Sequence, residues 1–408
     1  MNPVRGRMPD RPERAGADSL DSYFSVKKWN TSATSTSKSK STFSIQSVDL
    51  NPNSYLSNQN LVYTDTEMLI LKTFAISRMK VKSAVHESQY SRFTFDSKQI
   101  NNEARNIHNS AYSDGADPQL ASGGMRVYFE NALAFVNQPG EWFLDRGSGT
   151  VYLYTRTEDR AEAGGVIAPR LTTLLRINGS TSTDHIQDIS VENIEFRHSD
   201  WKRPLNEGFF SRQAARATVG PGAERAHKGV PAAIEIYQAS NIALAGCRFS
   251  QFGTSGIEIG PSTSQVTIEK NLFGDIAGNA VSAQPVYEGD ASHKIEGTVI
   301  RDNRFHYIGE SYAGVGILMG FTQNTEIKNN ELDTIAYSGI SMGWWIHPHS
   351  PIVDHADQEI SHNKIRNPIW LFDDGAAIYT LVTIVASPCF GFVTNKVMPQ
   401  SLAPSTAF

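Results

Sequence analysis

Between residues 189 and 397 one eight-residue pattern of apolar and polar positions recurs seven times. The copies are ISVENIEF (189–196), IALAGCRF (242–249), VTIEKNLF (266–273), TVIRDNRF (298–305), TEIKNNEL (325–332), QEISHNKI (358–365) and FGFVTNKV (390–397). The third position is always apolar: Val191, Leu244, Ile268, Ile300, Ile327, Ile360 and Phe392. So is the eighth: Phe196, Phe249, Phe273, Phe305, Leu332, Ile365 and Val397. The sixth is asparagine in the last five copies, at 271, 303, 330, 363 and 395. Each copy reads as one strand, and most are followed by a second short one: GIEIG (256–260), AVSA (280–283), GILMG (316–320), GISMG (339–343) and AIYTL (377–381). Alternation along a strand turns one side inward. A coil of this size cannot bury that side alone and must stack on its neighbours. Stacked asparagines can bond to one another and to the nearby backbone as a ladder of amides. These features together predict a parallel β-helix.

The first half lacks that period. TSATSTSKSKST (31–42) is a low-complexity stretch that, with the polar residues before it, reads as a disordered leader over 1–45. Residues 46–180 read as a β-rich cap region. Within it, DTEMLILKTFAISRMKVKSA (65–84) reads as one or two strands, and 97–119 as a polar loop with a short helix. EWFLDRGSGTVYLYT (141–155) reads as a hairpin turning at Gly147 and Gly149. The solenoid is then expected over 181–408.

Composition narrows the function. In 408 residues, 37 basic side chains face 42 acidic ones, a net charge of −5 with no basic stripe, which argues against a nucleic-acid partner. No apolar run is long enough to span a membrane. The N-terminal stretch is positively charged but lacks the apolar segment of a secretion signal. Two cysteines are too few for a disulfide framework, and Cys247 reads as a buried core thiol.

Loops that interrupt the coils of such a solenoid gather on one flank and wall a groove. The inserts 201–231, 287–297 and 344–358 bring Trp201, Tyr287, Trp344, Trp345, His347 and His349. Flat aromatic rings beside a groove suit the C–H faces of sugars. Asp373 and Asp374 stand together in WLFDDGAAIYTL (370–381), in the turn between two strands and one coil from the tryptophan loop. Glycoside hydrolysis uses two carboxyl groups, about 5–5.5 Å apart in retaining enzymes. Coils stack about 4.8 Å apart, so acids on neighbouring coils suit that chemistry. Candidates for the partner are Asp333, Glu331, Asp275 and Glu258, of which Asp333 is favoured because it and Glu331 alternate with Leu332 and so face outward. The cluster HPHSPIVDHAD (347–357) holds metal-competent residues without a metal-binding spacing and reads as a polar loop. No P-loop, nucleophile elbow or dinucleotide fingerprint is present.

Residues 129–154, 168–180, 232–260, 314–345 and 373–381 together resemble the right-handed β-helix proteins related to glycoside hydrolase family 141, a group with α-L-fucosidase and xylanase activities. The carriers are FENALAFVNQPGEWFLDRGSGTVYLY, APRLTTLLRINGS, AAIEIYQASNIALAGCRFSQFGTSGIEIG, GVGILMGFTQNTEIKNNELDTIAYSGISMGWW and DDGAAIYTL. The resemblance implies an all-β, right-handed parallel β-helix and a secreted carbohydrate-active enzyme, hence an extracellular or periplasmic location. It implies that Asp374, at the family's Asp-Gly-Gly-like motif, is a catalytic carboxylate; here Ala376 takes the place of the second glycine. The expected reaction is hydrolysis of a polysaccharide by Asp374 with Asp333, Asp373 tuning the first by like-charge repulsion. Trp344, Trp345, Tyr337, Tyr379, His347, Tyr287 and Glu258 would line the sugar site, and no cofactor or metal is needed. A monomer is expected, with an edge after the seventh copy through which copies can associate. Two other readings stand beside this one. A uronate lyase or epimerase would use Lys364 or Arg366 as base, and a non-catalytic sugar-binding solenoid would have aromatics without paired acids.

Overall fold

The computed structural model describes residues 24–31, 43–48, 65–72, 74–86, 91–96, 99, 125–136, 139–156, 166–181, 184–203, 207–219, 226–283, 294–320, 322–343, 357–372, 374–380, 390–393 and 396–398. The chain forms two units. Residues 1–72, 76–167 and 203–212 make the first; residues 73–75, 168–202 and 213–408 make the second.

In the first unit six antiparallel strands close on themselves. Ile76–His86 lies beside Glu67–Leu71, followed by Met125–Glu130, Phe24–Thr31, Phe43–Val48 and Ser91–Phe95. The last strand pairs back onto Ile76–His86. Closure leaves no free edge, which a small sheet would otherwise expose. The interior is filled by Met68, Ile70, Met79, Val81, Phe93, Phe95, Val127, Phe129 and Phe135, and by Phe210 from a strand that returns to this unit. On the opposite face of these strands lies a buried ion network: Arg78 pairs with Glu130, Arg203 pairs with Glu67, and Arg78 Nε lies 3.7 Å from Glu67. Burial alone would raise the Glu67 carboxyl, but Arg203 and Arg78 outweigh it and hold the group below the ordinary range.

This unit departs from the sequence reading at its start. Strand Phe24–Thr31 lies inside the segment read as a leader, and Phe43–Val48 crosses its end at 45. Both are recruited by partners far away in sequence: Phe24–Val26 by Met125–Val127, and Ser44–Ser47 by Ser91–Thr94. Local composition carries no trace of such pairing. The hairpin is present as read, with Trp142–Asp145 antiparallel to Thr150–Leu153. Asp145 closes its turn by accepting from the Gly147 and Ser148 amides. Most of 97–119 lies outside the described residues.

The second unit is the parallel β-helix. Each repeat copy is two strands joined at the asparagine position, so a coil has three strands, not two. The first sheet stacks Leu175–Asn178, Ala232–Tyr237, Ser255–Ile259, Val281–Ala283, Ile317–Met319, Ile340–Met342 and Ile378–Thr380. The second runs from Ile186–Glu192 to Phe390–Val393, and the third from Glu195–Ser199 to Lys396–Met398. Leu175–Asn178 is already a rung, so the solenoid begins before residue 181. Every stacked pair is parallel and in register; Phe249, for example, stands on Phe196 and under Phe273.

In the first six copies the third and eighth repeat positions fill the interior or pack against it. The rings of Phe196, Phe249, Phe273 and Phe305 stack at centroid spacings of 5.4, 4.9 and 4.6 Å. The asparagines form the expected ladder. The Nδ2 of Asn271 donates to Asn303 Oδ1 at 3.1 Å, Asn303 to Asn330 at 3.0 Å, and Asn330 to Asn363 at 2.9 Å. Each also satisfies a carbonyl on the coil before, Ile268 in the case of Asn303. Asn395 lies outside the described residues. The corner is tight because the residue before each asparagine is left-handed: Lys270, Asp302, Asn329 and His362 have φ of 56–57°. Cys247 occupies the same buried position in the second copy and is a free thiol.

Candidate active site

The first sheet sets the geometry of every candidate. Its isoleucines at 234, 236, 257 and 259 point into the core, so the residues between them point out. In-register pairing makes these one row: Arg176, Glu235, Glu258, Ser282, Leu318, Ser341 and Tyr379. Ser282, Leu318 and Ser341 are buried, whereas the residues at the two ends keep some exposure. The outer face is thus open at its ends and covered between them.

At one end stands the turn that carries Asp374. It leaves the third sheet at Asn367 and folds back along the coil below. The Ile369 amide donates to the Tyr337 carbonyl at 2.6 Å, and the Leu371 amide to Ala336 at 3.3 Å. Ile369 pays for this path with a left-handed backbone, φ 52°, which a β-branched residue adopts at a steric penalty. A side chain at Gly375 would press into Ile369, Tyr337 and Ser338, with a methyl carbon 2.5 Å from Ile369 Cγ2. Glycine is what lets the chain lie flat here. The outcome brings Tyr337 and Tyr379 together, their rings 6.1 Å apart, with Phe372 edge-on to Tyr337 at 6.3 Å, and sets Asp374 near enough for its charge to act on the Tyr337 hydroxyl. Tyr337 is fully buried, and its hydroxyl accepts from Gln213 Nε2 at 2.8 Å. Burial drives the Tyr337 hydroxyl well above the usual phenol range, and the nearby Tyr379 and Asp374 push it the same way. The tyrosine therefore stays protonated.

Asp333 sits in the middle of the strand Glu331–Ile335 of the third sheet and faces outward, as its alternation with the core residue Leu332 requires. Its Oδ1 accepts from Asn367 Nδ2 and from the Thr334 hydroxyl, both at 3.0 Å, and its Oδ2 lies 3.6 Å from Arg366 Nε. Asn367 opens the same turn that ends in Asp374, so the two acids flank one connection. Glu331, the neighbouring alternative, is the hub of an ion network, with Lys364 at 3.1 Å, Arg366 at 2.5 Å and Arg304 at 3.7 Å. Burial opposes its charge, but these cations outweigh burial and hold its carboxyl low. Glu331 thus braces the third sheet. Lys364 and Arg366, the bases a lyase would need, are taken up by Glu331 and Asp333. Asp275 occupies a left-handed bulge, φ 60°, on the third sheet.

The other end of the row holds a group that the sequence reading found only in part. Glu258 was a candidate; Glu235, directly beside it on the neighbouring coil, was not. Glu235 takes Arg176 Nε at 2.7 Å and the Thr173 hydroxyl at 3.1 Å. Glu258 takes the Tyr237 hydroxyl. Burial raises that hydroxyl's pKa, and the two glutamates raise it further. The repeated Ile-Glu-Ile of AAIEIYQ and GIEIG was the available signal, since each glutamate sits between two inward isoleucines. Gln213 left no such trace; it reaches Tyr337 across 124 residues. Asp373, Trp344, Trp345, His347 and Tyr287 lie outside the described residues. Among the described residues no group of three or more metal-ligating side chains converges, and no helix is long and apolar enough to cross a membrane.

Comparison with known proteins agrees with this architecture. A family model for a right-handed β-helix region matches residues 176–331 and 232–378. A second, for a GH141 insertion domain, matches residues 28–156, the stretch that supplies the barrel strands. A solved structure titled "Glycoside hydrolase" superposes with a TM-score of 0.75 at 20% sequence identity, over 92% of this chain and 64% of the other. The chain thus spans slightly less than two thirds of that protein. No curated protein matches.

Proposed function

We propose that this GH141-like right-handed β-helix protein hydrolyses glycosidic bonds, at the end of its first sheet where Asp374 meets Tyr337 and Tyr379. One observation carries the reading: the turn that Asn367 ties to Asp333 leads to Asp374, whose charge acts on a buried, hydrogen-bonded tyrosine. Two carboxyl groups, one in each of two different settings, are what glycoside hydrolysis requires. Asp333, ringed by the donors of Asn367, Thr334 and Arg366, suits the anionic role of base or nucleophile. Asp374, near Tyr337, would take the other role, that of the general acid that protonates the leaving oxygen. Tyr379, half-exposed at the end of the outer row, offers a ring face for the sugar. The substrate is then a polysaccharide or oligosaccharide met outside the cell.

The test is a screen of aryl glycosides and plant polysaccharides with wild type, Asp374→Asn and Asp333→Asn. Loss of turnover by a factor of 10³ or more in both variants, with unchanged thermal unfolding, is expected for essential acid–base or nucleophilic groups. Turnover by Asp374→Asn equal to wild type removes this site from the reaction.

A further inference from the structure

We infer that the hairpin of the first unit, Trp142–Asp145 with Thr150–Leu153, is a carbohydrate-binding platform, on which Phe143, Tyr152 and Tyr154 stack against the sugar rings of a neutral polysaccharide. The inference goes beyond the proposed function and stands apart from it, because Asp374 belongs to the second unit. A platform of this kind holds a polymer and cleaves nothing.

Among the described side chains, Tyr152 and Tyr154 are the aromatic ones that stay exposed, at 41% and 46%. Both stand on one face of one strand, and Phe143 pairs directly with Tyr152 across the hairpin. The Tyr154 amide donates to the Glu141 carbonyl at 2.9 Å, and the Gly140 amide to the Tyr154 carbonyl at 2.6 Å. Pairing therefore runs past Leu153, and alternation returns Tyr154 to the side of Tyr152. The Phe143 and Tyr152 rings lie side by side, with centroids 6.3 Å apart and planes inclined by 29°. Residues two apart on a strand are separated by about 6.6–6.8 Å, so Tyr154 continues the row at nearly the same interval. The two strands form a sheet of their own. Val151, which alternation turns to the other face, is 43% exposed, so the outer strand stands clear on both sides. Single exposed apolar residues are ordinary, but a row of rings on one face marks an interaction surface.

The chemistry of the row narrows the partner. A lipid surface or a second copy of the chain would pack as well on leucines. Ring faces with hydroxyls at their rims suit a ligand that has flat C–H faces and hydroxyl edges, which is a sugar ring. Charge narrows it further. Asp145 and Arg146 stand at the turn, where Asp145 accepts from the Gly147 amide at 2.9 Å and the Ser148 hydroxyl at 2.7 Å. At the other end Glu141 is buried, and the Arg156 guanidinium lies against Gly140, where a methyl carbon would come within 2.4 Å of its Nε. One acid and one base at each end leave the row without net charge, so it complements a neutral polymer rather than a polyuronate.

Affinity electrophoresis of the full chain tests this, in native gels containing a neutral polymer (galactomannan, xyloglucan or mixed-linkage β-glucan) or polygalacturonate. At least one neutral polymer is expected to retard wild type and Asp374→Asn equally. Tyr152→Ala and Tyr154→Ala should each weaken that retention about tenfold, and Tyr152→Phe, which keeps the ring, by about twofold or less. Both tyrosines are exposed, so unfolding temperatures should not move. The alanine variants should also keep any aryl-glycoside turnover of the wild type. Retention without turnover then counts against the Asp374 site alone, and turnover without retention against the platform alone. Equal retention of the alanine variants and wild type overturns the inference. So does stronger retention by polygalacturonate, or no retention by any neutral polymer. A wild-type dimer in sedimentation that the alanine substitutions dissolve would give this face to a second copy of the chain, and overturns it as well.

Discussion

The two units of this chain bury polar groups in opposite ways. The N-terminal barrel closes through strands from residues 24 to 130 and buries charges on the face of those strands opposite its apolar interior: Glu67, Arg78 and Glu130, joined by Arg203. The β-helix buries neutral amides, one per coil, each bonded to the coils on either side. The charged network is singular and irreplaceable, because desolvated charges are tolerated only while every partner is present. The amide ladder is modular, because each rung depends only on its neighbours. The amides of the ladder are fully bonded, whereas the charged network leaves Arg78 Nε, Glu130 Oε1 and Arg203 Nη1 without a hydrogen bond, and damage to the two should spread differently.

The largest effect is expected in the barrel. Arg78→Met leaves Glu130 without the arginine that pairs with it at a buried position and removes one of the two arginines at Glu67. Breaking a buried pair by removing one partner costs about 3–5 kcal/mol. Urea unfolding combined with hydrogen exchange should show the loss in Glu67–Leu71 and Met125–Glu130, with the solenoid rungs unaffected. Adding Glu130→Leu to Arg78→Met should restore much of it. A loss below about 1 kcal/mol, the size typical of a surface pair, would show that the network is incidental and break the contrast.

A smaller and more local effect is expected in the ladder. Asn303→Ala removes the donor to Ile268 and Asn330 and the acceptor for both amides of Asn271. Leaving buried groups unmatched costs roughly 2–3 kcal/mol here. Exchange should quicken at Cys247–Asn271 and at Asn330, while amides two coils further, near Asn363, stay protected. Uniform loosening of the whole helix would contradict the modular picture.

Acid should separate the units without any mutation. Glu67 is held below its ordinary range, so its contribution is present above about pH 4.3, the unfolded value, and is lost as pH falls through the lower folded value. The asparagines do not titrate. Between pH 5 and pH 2 the barrel strands should therefore lose exchange protection before the ladder does. Simultaneous loss would mean that carboxylates of the solenoid's outer network, Glu331 first among them, matter as much as the buried one.

The same contrast explains what could be read from the residues beforehand. The solenoid was legible because its contacts recur at short intervals, so Ile268, Phe273 and Asn271 announce themselves through Ile300, Phe305 and Asn303. The barrel was not, because Ser25 meets Arg126, and Ser44 meets Thr94, only once each. The candidate site divides the same way. Asp333 and Tyr379 sit at repeat positions whose outward direction follows from alternation. Gln213 reaches Tyr337 from a segment outside the repeat, and the turn that places Asp374 depends on Gly375 and on a strained Ile369, neither of which obeys the period. Three strands per coil were read as two because the bend at the asparagine falls inside a continuous apolar pattern.

The smallest effect tests the modular picture by building on it. Cys247 holds the sixth position above Asn271, with its Sγ 3.4 Å from the Val191 carbonyl and its amide donating to Asn271 Oδ1 at 2.7 Å. One coil on, Asn271 Nδ2 donates to the Leu244 carbonyl, the equivalent acceptor, at 2.9 Å. Cys247→Asn should therefore extend the ladder by one rung, with the new Nδ2 donating to Val191 and the new Oδ1 facing the turn at Ile194. A net gain of about 0.5–1.5 kcal/mol is the worth of one added internal hydrogen bond, read as a higher unfolding temperature of the solenoid with the barrel unchanged. A loss of about 2 kcal/mol or more, the cost of overpacking, would show that the second copy is shaped around a thiol and that the repeat is less uniform at this end than its hydrogen bonds imply.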